Sequence, residues 1–113
     1  MPKKINPLSL NALQLKTLAL LQELAQLPDH GTAESDGTVT VRYLPHPHGD
    51  HFHVGHRMVH ASDATGLALE APWIALERKG LLKSKFPESA VMTPEGLTYE
   101  TGVRDLILHG GDH

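Results

Sequence analysis

Six histidines, His46, His48, His51, His53, His56 and His60, fall within fifteen residues of a 113-residue chain that holds nine in all. Neutral imidazole is the commonest protein ligand for zinc, nickel and copper, so this density points first to metal chemistry. In an extended strand His51 and His53 share one face with Cα atoms about 6.6 Å apart, near enough for both rings to turn toward one ion. His46 or His48, from the turn just before them, supplies a third nitrogen in this reading. Asp50 serves as an oxygen ligand or as the acceptor that orients a ring. The set expected to hold a zinc or nickel ion is therefore His46, His48, His51, His53 and Asp50, with no bound group required otherwise. His56, in register with Phe52, Val54 and Met58, is expected to lie on the core side instead.

A second concentration is cationic. Arg78, Lys79, Lys83 and Lys85 lie in Leu76–Phe86 with only Glu77 opposing, a local charge of +3 in a chain whose net charge is −3. Grouped cations suit phosphate oxygens, whereas base edges are read by Arg, Asn or Gln at the start of a helix in the major groove. The preceding stretch Glu70–Ala71–Pro72–Trp73 offers one acid and none of those readers. Contact with double-stranded DNA is expected through phosphates, with weak direct readout.

Other chemistries are excluded or thin. Zero cysteines remove disulfides, thiolate metal sites and thiol nucleophiles. No catalytic triad, paired-acid spacing or phosphate-cradling glycine loop is present, so the chain is not expected to be an enzyme. Hydrophobic residues at 40% and charged residues at 20% are ordinary for a globular domain. No stretch approaches the ~20 apolar residues of a membrane span, and no secretory signal is evident. A single cytosolic domain over residues 1–113, with no membrane partner, is expected.

The elements that must position these groups follow from periodicity. Asn6 and Pro7 read as cap and first position of an amphipathic helix, about 7–26, with Leu10, Leu13, Leu20, Leu21, Leu24 and Leu27 at helical spacing. Leu15 and Leu18 extend beyond that stripe and are available to a partner. Gly31–Gly37 reads as a loop, and Val39, Val41 and Tyr43 alternate as a strand. A second strand, about His51–Val59, is expected to return beside the first as a hairpin. Ser62–Gly66 suits one helical turn and Glu70–Leu82 a fuller helix. The polar, basic Lys83–Ser89 is followed by an extended Ala90–Thr93, then a turn at Pro94–Gly96 with Leu97–Tyr99 pairing back, then a short helix around Thr101–Leu108.

That order, with its phrases, resembles a winged helix-turn-helix domain of the MarR or PadR regulator type. Leu8–Ala25 (LSLNALQLKTLALLQELA) looks like the opening helix. Ala75–Leu82 (ALERKGLL) is similar to the end of the recognition helix, and Thr93–Gly96 (TPEG) to the phrase after the second wing strand. The resemblance implies an α+β, winged-helix-like fold: N-terminal amphipathic helix, His-rich β-hairpin, recognition-type helix, short wing hairpin and short C-terminal helix. It also implies a DNA-binding or protein-interaction module in gene regulation. Its partners are double-stranded DNA, a second copy in a homodimer through the first or last helix, or another protein.

His46–Pro47–His48–Gly49–Asp50–His51 is also similar to the His-x-His-x-Asp-His phrase of the metallo-β-lactamase superfamily. The likeness covers these few residues alone, and the 62 residues that follow are too few for that superfamily's later ligand-bearing strands. It reads as a mimic.

Overall fold

Helix α1 (Ala12–Ala25) starts where Asn11 and Gln14 exchange two hydrogen bonds. The Asn11 side chain accepts the Gln14 N–H at 2.8 Å, and Gln14 Oε1 accepts the Asn11 N–H at 3.0 Å. This reciprocal cap satisfies two of the donors that a helix start leaves open. In a computed structural model describing residues 5–47 and 49–110, the helix therefore begins later than the expected position 7. Asn6 has φ +53 and ties the lead-in loop by two bonds to the Leu10 backbone, with the Tyr99 hydroxyl donating to its Oδ1.

Four helices and two antiparallel sheets form an α+β fold among the described residues. Strands β1 (Gly31–Ala33), β2 (Val39–Arg42), β5 (Leu82–Lys85) and β6 (Ser89–Met92) make one sheet in the order β1-β2-β6-β5. Strands β3 (His51–Val54) and β4 (Arg57–His60) form a separate hairpin. Two 3-10 turns, Ala61–Asp63 and Thr65–Ala68, lead into α2 (Glu70–Arg78), and α3 (Pro94–Thr98) and α4 (Arg104–Ile107) follow β6.

The expected pairing of residues 39–43 with 51–59 does not occur. Both edges of β2 are taken, one by β1 and one by β6. The 51–60 segment folds on itself at Gly55, whose φ of +62 suits glycine, so its halves satisfy each other's ladder. That turn also moves His56 from the expected core side to an exposed position. Nor is 31–37 all loop, because Gly31–Ala33 pairs with Val39–Val41. A Cβ at Gly31 would fall 2.1 Å from the Ala25 carbonyl oxygen, so only glycine lets this strand start against the end of α1.

Helix α2 stops at Arg78 rather than Leu82. Gly80 adopts φ +78, its N–H bonds the Glu77 carbonyl, and the Leu81 N–H bonds the Leu76 carbonyl. This left-handed ending frees Leu82 to begin β5. Pro94–Thr98 is a helical turn and not part of a strand pair, since the Thr93 hydroxyl caps it by accepting the Gly96 N–H at 3.0 Å.

Helix α1 is the centre of the core. Thr17 through Leu21 are buried without a break, because the sheet, α2 and the second 3-10 turn enclose the helix on several sides. Leu18 is therefore fully buried within its own chain and unavailable to a partner, and Leu15 is half-buried against the core. Trp73 is fully buried, donates its indole N–H to the Gly66 carbonyl at 2.9 Å and meets the Phe86 ring edge-on at 5.1 Å.

Candidate functional site

The first candidate region is the outer face of the four-stranded sheet. Leu82, Ala90, Met92 and Val41 turn to the core, so strand alternation sends Lys83 and Lys85 outward on the edge strand β5. Register places Lys85, Ser89 and Arg42 on one rung and Lys83, Val91 and Thr40 on the next. Arg42 thus joins the cations named from sequence. Its place after Thr38 and Thr40 on the polar side of the alternation was the available signal, but its neighbour across the sheet is set by β6.

A groove of about 620 Å³ opens beside this rung, lined among others by Arg42, Tyr43, His46 and Lys85. His46 is exposed and lines this groove, and it also borders Phe52 of β3 in a second cleft. Arg78 and Lys79, both exposed, close the C-terminal end of α2 just before β5. Glu77 is tied into the same junction, accepting the Ser84 N–H at 2.6 Å. Asp36 faces the patch: hydrogen bonds from the Thr38 hydroxyl and N–H hold its carboxyl below the usual carboxylate range, and Lys83 adds attraction. The outward positions of α2 are Glu70, Ala71, Ile74, Glu77 and Arg78, two carboxylates against one cation.

The second region is one face of the β3–β4 hairpin. His51 and His53 share it, as expected from spacing, with ring centroids 4.9 Å apart. Two histidines absent from the sequence-based set join them. His60 is the cross-strand partner of His51. His109 follows α4 and bonds Met58 through both backbone groups, at 3.0 and 2.8 Å, as a third strand would. The His60 and His109 centroids are also 4.9 Å apart, and His109 Nε2 is buried with no hydrogen-bond partner. Asp50 Oδ1 lies 3.3 Å from His51 Nδ1.

Of the expected metal set, then, His51, His53 and Asp50 are together, His46 lines the groove beside Arg42 and Lys85, and His48 lies outside the described residues. Among the described residues, no three His, Asp or Glu side chains are arranged to hold an ion as they stand. No described helix is long and apolar enough to cross a membrane. In comparison with known proteins, no family model, curated protein or solved structure matches the chain.

Proposed function

We propose that this chain is a winged-helix-like module that holds double-stranded DNA by its phosphates, in a regulatory role, with no reaction of its own. One observation carries the reading: β2, β6 and β5 lie side by side in that order, with α1 before them in sequence and α2 leading into the β5–β6 hairpin. This order supports a winged-helix reading, in which α2 takes the recognition position and β5–β6 the wing. The cations Arg78, Lys79, Lys83 and Lys85, joined by Arg42, sit at the junction of those two parts and on the outer face beside it.

Two departures shape the mechanism. The position of the motif's first helix is taken by 3-10 turns, and the outward face of α2 carries Glu70 and Glu77. Base readout from that helix is therefore minor, and affinity comes from counterion release at the phosphates.

The test is fluorescence anisotropy of a labelled mixed-sequence duplex at low and physiological salt. Binding that collapses as salt rises, and that weakens in a Lys83→Glu, Lys85→Glu variant, is the expected result. Absence of binding at low salt would overturn it. The docking reading would then lead, with Leu106 on α4, 72% exposed, as the apolar residue for a second copy or another protein.

A further inference from the structure

The stretch 44–47, between β2 and β3, walls two cavities at once. We infer that the two form one bipartite site for a small amphipathic carboxylate, an anionic head on a medium-length aliphatic chain, with octanoate as its probe. The inference goes beyond the DNA reading, although the head of the site uses Arg42 and Lys85 of the same rung.

The groove beside Arg42 and Lys85, about 620 Å³, adjoins a cleft of about 270 Å³, and the two share Leu44, His46 and Pro87 as walls. Past those walls the lining changes character. The cleft continues over Pro45, Pro47, Phe52, Leu67 and Ala68, with no Lys, Arg, Asp or Glu among the described residues that line it. Its walls come from the stretch after β2, from β3 and from the second 3-10 turn, with Pro87 closing from the β5–β6 hairpin. Phe52 and Leu67 are only 8% and 6% exposed, so the cleft reaches down to side chains of the core. An aliphatic chain laid there removes its own apolar surface and that of the cleft from water. A concave, mainly apolar cavity with a few polar groups at one end is the form that small-molecule sites take.

The groove end supplies the head-group contacts. Arg42 and Lys85 line it on either side of Ser89, and Glu88 lines it too, so two cations stand against one carboxylate. A single negative charge balances that set, which selects a carboxylate over a doubly charged phosphate. A guanidinium matches a carboxylate with two parallel N–H donors, and such charge-assisted bonds are the strong ones. Ser89 adds a third donor. It is only 9% exposed yet lines the groove, and its hydroxyl has no hydrogen-bond partner among the described residues, so it is left for a ligand oxygen. His46 borders both cavities and marks the joint between head and tail.

The experiment is an amide NMR titration of the full chain with octanoate, without DNA, beside hexanoate, octanol and acetate. Saturable binding of one octanoate is expected, with shifts on both sides of the joint: Arg42 and Ser89 at the head, Leu44, Leu67 and Ala68 at the tail. Hexanoate should bind more weakly by about two- to fourfold per methylene removed. Octanol, the same tail without the charge, and acetate, the head alone, should each bind at least about 10-fold more weakly than octanoate. Ala68→Trp fills the cleft from an exposed position and should abolish octanoate binding. Arg42→Gln combined with Lys85→Gln, both exposed, should leave octanoate no better bound than octanol. The amide spectrum of each variant reports that the fold is kept. Octanol binding as well as octanoate would reduce the trench to an apolar patch, and acetate binding as well would reduce it to an anion rung. Either result, shifts confined to one cavity, or no binding of octanoate would overturn the site. Because no duplex is present, failure here leaves the DNA reading standing, and failure of DNA binding leaves this result standing.

Discussion

Arg42 and Lys85 lie on one rung of the four-stranded sheet with Ser89 between them, their side chains on the same outer face. Two cations from distant parts of the sequence thus flank a small hydroxyl residue, beside a groove open to solvent.

If phosphates sit along that rung, Arg42→Glu weakens DNA binding as Lys85→Glu does. Each reversal lowers the slope of log affinity against log salt by about one. Arg104 is the comparison. It is held bidentately by Glu23 at 2.9 and 3.2 Å, which with Asp105 pushes its pKa above the ordinary arginine value. Arg104→Ala leaves the slope unchanged in the same anisotropy titration, and a drop equal to that of Arg42→Glu would dissociate the rung from binding.

The Asp36 carboxyl, held down chiefly by the Thr38 hydroxyl, is a local probe of this face. Its folded pKa lies below the unfolded one. The associated stability is therefore present above the ordinary carboxylate range and lost as pH falls through the depressed value. Carboxyl-carbon NMR titration should show the midpoint rising in Thr38→Val, which removes the hydroxyl bond and keeps the backbone one. Lys83→Ala should raise it less. A midpoint unmoved by Thr38→Val would refute the hydrogen-bond account.

Much of this architecture was legible because local signals agreed. Strand alternation at 39–43, the helix opening at Glu70 and the extended Ala90–Thr93 each emerge near where their residues point. What local signals cannot supply is strand partnership. β2 alternates equally well whether its neighbour is 51–59 or 89–92, and only the whole sheet decides. Histidine geometry divides the same way. His51 beside His53 follows from a period of two. His60 opposite His51 follows once the turn is placed at Gly55–His56. His109 is brought in from beyond α4 by tertiary packing, and no spacing announces it. Asn6 misled because Asn before Pro suits a helix start, whereas here its side chain closes a loop against Leu10 and Tyr99.

The cap assignment has a stability consequence. Asn11→Ala removes the acceptor of the Gln14 N–H and should cost about 1 kcal/mol in denaturant unfolding. Carbon chemical shifts should place the first helical residue at or after Ala12 in the parent. A helix that begins at Pro7 in those shifts would contradict the cap.

Close approach of the second 3-10 turn to α1 gives a sharper prediction. A Cβ at Gly66 would fall 1.8 Å from Thr17 Oγ1 and 3.1 Å from its Cβ. Gly66→Ala must push the turn away from the helix, disturbing the Trp73 indole bond to the Gly66 carbonyl, and overpacking of this kind costs about 1–3 kcal/mol. Thr17→Ala removes the nearest atom and also the hydroxyl bond to the Leu13 carbonyl, so alone it is mildly destabilising. Combined with Gly66→Ala it should recover part of the loss, a coupling of opposite sign to simple addition. Additive losses in the double variant would mean that the turn and the helix do not touch as described.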